Sequence, residues 1–375
     1  MKYLSQIRIV LLTQFFHSFV SGIIGIIVPL MMEQRNVDVV VIGLVFAAMP
    51  LIMQFGRLIF ATLSDFWGRK LFFLSNGVLT FISNIIYYFA RTPLEFLFGK
   101  VAEGTKEGTL WAVNRPFLLE KSNGHWKILV QLRSVVYVSY ALGSLMAGFL
   151  AAWFLFEGTM LICALFGVFV VFLSLLLIGE RKAKFSVEKA LGFLDFRKKT
   201  KVFKIFLALF FIIGLSYGFR GGFIIPLFLN RNGFNAEAIG LIIGIQILLA
   251  GFSSIFFSKS MKIRKFILFN GILTTFTFSL LGFLSSVYAA FLVIIFGLIE
   301  GMSSIGQEGI ISKICDKESY GIDIGLLMMG LHIGETISLA LSGFIIAWFG
   351  FVATFLLAAS TYIIYYLTAY HVIRD

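Results

Sequence analysis

Charge is scarce in this chain: Asp, Glu, Lys and Arg make up 13% of its 375 residues, about half the share of a soluble globular protein. Proline is scarcer still, at five residues, and there are two cysteines. Each shortage excludes something. With so few charged side chains and a mean hydropathy of +0.97, water is not the main solvent of the fold, so a soluble enzyme and a nucleic-acid binder are excluded. Few prolines leave long helices uninterrupted. Cys163 lies in an apolar run and Cys315 in a polar loop, far apart and without metal-ligand spacing, which excludes a disulfide framework and a zinc site. No G-x-x-x-x-G-K-[ST] loop occurs, so ATP is not the direct energy source, and no H-E-x-x-H set suggests a membrane hydrolase.

What is abundant is apolar. Hydrophobic residues reach 59% and phenylalanine alone counts 45, the makeup of an all-α polytopic membrane protein. A crossing helix needs about 20 mostly apolar residues. That ruler predicts twelve spans, near 9–31, 39–60, 71–90, 94–118, 133–155, 159–179, 203–229, 238–258, 265–284, 287–311, 324–348 and 350–372. The break before the last span rests on Gly350 alone. The first run is too long for a signal-peptide core and lacks a small-x-small cleavage site, so it reads as a retained first span.

The net charge of +12 is a topology signal. Loops on one side hold 25 Lys and Arg against 9 Asp and Glu, and the other side holds Arg35, Arg91 and Arg231 against five acids. Lys and Arg gather on the cytoplasmic side of short loops, so both termini are expected there, in the cell membrane. The stretch 180–202 reads as a basic cytoplasmic linker between an N-terminal six-helix bundle, 1–179, and a C-terminal one, 203–375.

Those halves repeat. Adding 197 carries Pro29 to Pro226, Gly25 to Gly222, Gly43 to Gly240, and Glu103-Gly104 to Glu300-Gly301. Two six-helix repeats in parallel orientation are one recurring transporter arrangement, with the solute near the midplane.

The stretch Ala61-Thr-Leu-Ser-Asp65-Phe-Trp-Gly68-Arg69-Lys70 resembles the loop between helices 2 and 3 of the major facilitator superfamily, G-x-L-x-D-R-x-G-R-K. Asp65, Gly68, Arg69 and Lys70 match it; Ala61 and Phe66 depart from it. Lys100-Val-Ala-Glu103-Gly104 is a weaker likeness to the family's R-x-x-x-G in helix 4. The resemblance implies a major-facilitator fold and a conformational latch at Asp65, Gly68, Arg69 and Lys70, with Asp65 near Arg69 or the start of helix 11. The second half keeps Lys259, Lys262, Arg264 and Lys265 without an acid, so the latch is expected to be one-sided. Helix 5 has Gly143-Ser-Leu-Met-Ala-Gly148 with no proline, an incomplete form of the family exporters' Gly-Pro run.

An ionisable residue inside a span costs about 2.5–3.5 kcal/mol or more unless paired or wet, so each is a site candidate. Helix 4 carries Lys100, Glu103, Lys106 and Glu107. Spacings of three and four put Lys100, Glu103, Glu107 and Trp111 on one face. In the family, helices 1, 4, 7 and 10 line the cavity; here they hold His17, Glu103, Glu107, Trp111, Tyr217, Arg220 and Glu300, taken as substrate-binding candidates. Lys100, Glu103, Glu107, His332 and Glu335 are the proton-coupling candidates, and Glu308 the inner-mouth residue. Arginine stays charged at any accessible pH, so Arg220 needs a carboxylate from protein or solute. No metal site and no cofactor are expected.

The expectation is a monomeric secondary active transporter that moves a small organic solute by alternating access, driven by the proton gradient. Short loops and the loop motif favour export of amphipathic compounds. Dense buried charge and the missing helix-5 proline favour uptake of a polar or anionic metabolite. Export is the reading taken first, and a lipid flippase or scramblase is the alternative from another class.

Overall fold

A computed structural model describes residues 2–122, 127–179, 199–257, 263–315 and 320–373. Among them are eleven helices: α1 (Lys2–Gln34), α2 (Val39–Trp67), α3 (Arg69–Phe89), α4 (Pro93–Lys121), α5 (Lys127–Leu175), α6 (Lys201–Arg220), α7 (Ile224–Arg231), α8 (Ala236–Phe257), α9 (Ile263–Leu281), α10 (Ser286–Ile314) and α11 (Tyr320–Val372). No strand occurs among the described residues.

Two helices are twice as long as a membrane needs, and each is broken once. α5 is interrupted at Leu155 (φ 61°, ψ 175°) and α11 at Gly350 (φ 76°, ψ 179°). This backbone strains a residue with a Cβ, as at Leu155, and costs glycine little, so Gly350 is the cheaper place to divide two spans. The expected span 203–229 is one apolar crossing, Lys201–Arg231, built of two helices, α6 and α7, parted by a turn at Gly221–Phe223 with φ +57° at Gly222. Counting the broken helices twice and α6 with α7 once gives twelve helical segments among the described residues. α4 begins on a capping box in which the Glu95 side chain accepts from the backbone N–H groups of Arg91 and Thr92, a local signature of a helix start.

The chain divides into two compact units. The first is Met1–Val37, Ala48–Ser186 and Asn235–Gly244; the second is Asp38–Ala47, Val187–Phe234 and Ile245–Asp375. Within each, helices pack backbone to backbone, and one such pair is equivalent in the two. In the first, α1 lies along α5, and a Cβ at Gly143 would run into the Phe19 carbonyl. In the second, α6 lies along α11, and a Cβ at Gly214 would run into that of Leu331. Serine hydroxyls donate across both seams, Ser144 to the Gly22 carbonyl at 3.5 Å and Ser342 to that of Gly218 at 3.4 Å. The half-length repeat of the sequence is thus a repeat of packing.

Candidate functional site: two buried charge clusters

In the first unit the cluster forms where α1, α3 and α4 meet. Two turns of α4 present Lys100, Glu103, Lys106 and Glu107, all buried. Each carboxylate has its own lysine. Lys100 Nζ donates to Glu103 Oε2 at 2.8 Å, and the Tyr87 hydroxyl donates to the same oxygen at 2.6 Å. Lys106 Nζ lies 3.3 Å from Glu107 Oε1 and donates to Ser21 Oγ at 3.1 Å.

Glu107 gathers further donors. His17 Nε2 lies 3.0 Å from its Oε2, Trp111 Nε1 donates to Oε2 at 3.0 Å, and Ser21 Oγ donates to Oε1 at 2.9 Å. Glu103 and Glu107 therefore draw on separate partners, one turn apart on the same helix. Behind His17 stands Asn76 of α3, whose Nδ2 lies 3.1 Å from His17 Nδ1 and donates to the Lys106 carbonyl at 2.9 Å.

The second unit's cluster surrounds Arg220, the last residue of α6. Its Nη2 donates to Glu300 Oε1 of α10 at 2.9 Å, and its Nε donates to the Tyr362 hydroxyl of α11 at 2.6 Å. Gln246 Nε2 of α8 donates to the other Glu300 oxygen at 2.9 Å. The guanidinium carbon sits 4.8 Å from the Phe296 ring centre, 4.9 Å from that of Tyr217 and 5.8 Å from that of Phe278. An aromatic box suits a desolvated, weakly hydrated guanidinium. Tyr217 in turn accepts from Gln307 Nε2 at 2.6 Å. His332 and Glu335 pair within α11, Nδ1 to Oε2 at 3.0 Å, and Glu308 is exposed on α10.

At the loop motif, Gly68 caps the start of α3 with φ 87°. Arg69 makes a two-pronged bridge to Glu120 at the end of α4, 2.6 and 2.7 Å. Lys70 Nζ donates to the Leu175 carbonyl at 2.7 Å, where α5 ends. A cation at a helix C-terminus meets unsatisfied carbonyls and the negative end of the dipole. Of Asp65 only the backbone, within α2, is described; its side chain, and with it the latch expectation, lies outside the described residues, as do 180–198, Lys259 and Lys262. Residues 201 and 202 of the expected linker already belong to α6.

Sequence reasoning did not single out Tyr87, Asn76, Gln246 or Tyr362, nor the pair of Lys199 Nζ with Asp323 Oδ1 at 2.6 Å. Burial, with Asp323 beside it, pushes the nearby Cys315 thiol up to about 12. One signal was available for Asn76. Asn76-Gly77 recurs as Asn270-Gly271, close to the repeat offset, and Asn270 Nδ2 donates to Ser303 Oγ at 2.6 Å and Tyr366 Oη at 2.8 Å. Position 303 is the repeat counterpart of Lys106.

The sequence matches the profile of the Major Facilitator Superfamily over residues 10–321 and 222–375. The chain belongs to that superfamily: it is a multi-pass membrane protein of a solute-transporter family, not an enzyme. A mutant form of the nucleoside transporter NupG is similar in fold, with a TM-score of 0.80 at 14% identity, covering 98% of this chain and 100% of that one. The unaltered NupG structure gives 0.74 at 13%, covering 99% of each. The human organic anion transporter MFSD10 gives 0.70 at 12%, covering 98% and 99%. No curated protein matches the chain.

Proposed function

We propose that this protein is a proton-coupled secondary transporter that exports small amphipathic compounds bearing a positive charge. It works by alternating access as a monomer in the cell membrane, with both termini cytoplasmic, and needs no bound cofactor. The observation that carries the reading is an ordering of exposure. In all five intramembrane pairs among the described residues the carboxylate side chain is the more exposed partner: Glu300 28% against Arg220 11%, Glu335 26% against His332 15%, Glu107 8% against Lys106 0% and His17 2%, and Glu103 6% against Lys100 4%. Acids at the accessible end favour a cationic solute, and a carboxylate that exchanges a cation for a proton is the least machinery that links the two flows.

The test is transport into proteoliposomes of a fluorescent lipophilic cation. Acid-inside vesicles should accumulate it, and Glu300→Gln should raise the half-saturating concentration. Equal accumulation with and without the gradient sinks proton coupling. A second reading, uptake of a polar metabolite, draws support from the amides of Gln246 and Gln307 beside Glu300 and Tyr217. Nucleosides and organic anions, the solutes of the two similar transporters, belong in the same panel. Transport of either class with none of the cation would replace the first reading.

A further inference from the structure

We propose that Asn76 is a positioning residue that fixes His17 as its neutral Nε2–H tautomer, so that the His17–Glu107 pair carries one shared proton on the bond between them. The amide decides it. Asn76 Nδ2 lies 2.9 Å from the backbone carbonyl of Lys106, and a carbonyl only accepts, so the nitrogen side of the amide faces it. The other hydrogen of that nitrogen points at His17 Nδ1, 3.1 Å away. Nδ1 therefore accepts and carries no proton. Nε2, 3.0 Å from a Glu107 oxygen, carries it.

A second proton on His17 has no place to go. At Nδ1 it would face the amide N–H. Turning the amide over would set Asn76 Oδ1 against the Lys106 carbonyl, which already takes the Thr109 hydroxyl at 2.7 Å. Asn76 Oδ1 is buried without a hydrogen-bond partner, so the present orientation is held by what the nitrogen gains. The groups facing the pair leave the same balance. α4 supplies Lys106 and Glu107, opposite charges; α1 adds Ser21; α3 adds Asn76; and α5 adds Cys163, buried near Lys106. With His17 neutral, this cluster has no net charge, the state in which burial costs least.

The inference deepens the proton-coupled reading by naming which atoms hold the proton, yet its readout does not need transport. The chain has four histidines, so ¹⁵N-histidine labelling in nanodiscs, with His17→Gln to assign the signal, resolves His17 by NMR. At pH 7 the spectrum should show a protonated Nε2 and a bare Nδ1. The population with a proton on Nδ1 should stay below about one in ten, the bias that a hydrogen bond of about 1.4 kcal/mol sets. Asn76→Asp puts an acceptor beside Nδ1 and should protonate it; Asn76→Leu removes the donor and should let both tautomers appear. A wild-type His17 with its proton on Nδ1, or on both nitrogens, overturns the proposal even if neither variant folds. An unchanged His17 signal in folded Asn76→Leu overturns it too. A confirmed tautomer in a protein that transports without a pH gradient would leave this assignment standing and remove the coupled function.

Discussion

Replacing Arg220 with methionine removes the cation, its two donated bonds and little of its length. Glu300 then keeps the Gln246 amide but loses the guanidinium at 2.9 Å, and the Tyr362 hydroxyl loses its donor at 2.6 Å. Breaking a buried ion pair from one side costs about 3–5 kcal/mol, because the remaining charge is stranded. Glu300 retains 28% of its side-chain exposure, and water there offsets part of the loss, which places the expectation near about 3 kcal/mol. Arg220→Met/Glu300→Leu removes both charges and should recover at least half of that loss. The assay is equilibrium unfolding in mixed micelles, run as a double-mutant cycle. Two results would refute the reasoning. A single-variant cost below about 1 kcal/mol would mean that the pair is effectively solvated. A double variant as unstable as the two single losses together would mean that the pair does not interact.

Gly214→Val should destabilise the α6–α11 seam by at least about 2 kcal/mol, because its Cβ meets backbone that cannot yield, whereas Gly325→Ala, with open space around it, should be silent within about 0.5 kcal/mol; the same unfolding assay reads both. Gly350→Ala should cost about 1–3 kcal/mol through its positive φ, and an unchanged unfolding midpoint would count against the strain. Cys315 should react slowly with maleimide at pH 7, because the thiolate is the reactive form and this thiol is pushed up to about 12. Its folded value lies above the ordinary one, so the neutral thiol is favoured and labelling should rise about tenfold per pH unit from 7 towards 10. Asp323→Asn should speed labelling at fixed pH by removing the nearby carboxylate and the Lys199 pair, while fully buried Cys163 stays unlabelled as the internal control.

Particular residues show how far the sequence could be read. Gly350 announced its own break, because an apolar run of some fifty residues must turn somewhere and glycine adopts that backbone at least cost; the Leu155 break, at a residue with a Cβ, carried no such mark. Gly221-Gly222 carried the same kind of signal, but the run 203–229 was short enough for one crossing, so length gave no reason to break it. Arg220 in an apolar segment demanded a carboxylate, and the second half has few to offer. Which tyrosine would complete its shell was illegible: Tyr362 is one of twelve, 142 positions away. The α4 lysines and glutamates were plain as a cluster, yet their pairing depends on rotamers, and two neighbouring pairs separate charges that spacing alone would let mix. Asn76 was hidden by its chemistry, since an uncharged amide leaves no trace in a charge count.

The glycine and serine seams have a mechanical consequence. Where side chains separate two helices, rotamer changes let one slide or roll on the other. Where backbones touch, as at Gly143 on Phe19 and Gly214 on Leu331, there is no such slack. α1 with the first arm of α5, and α6 with the first arm of α11, are then levers: a tilt imposed at one end arrives undiminished at the other. Arg220 sits at one end of such a lever and Lys199, one residue ahead of the Thr200 that caps α6, at its other. A change of charge at the Arg220–Glu300 pair would thus be felt about thirty ångströms away at the Lys199–Asp323 pair, over the twenty residues of a helix rising about 1.5 Å each.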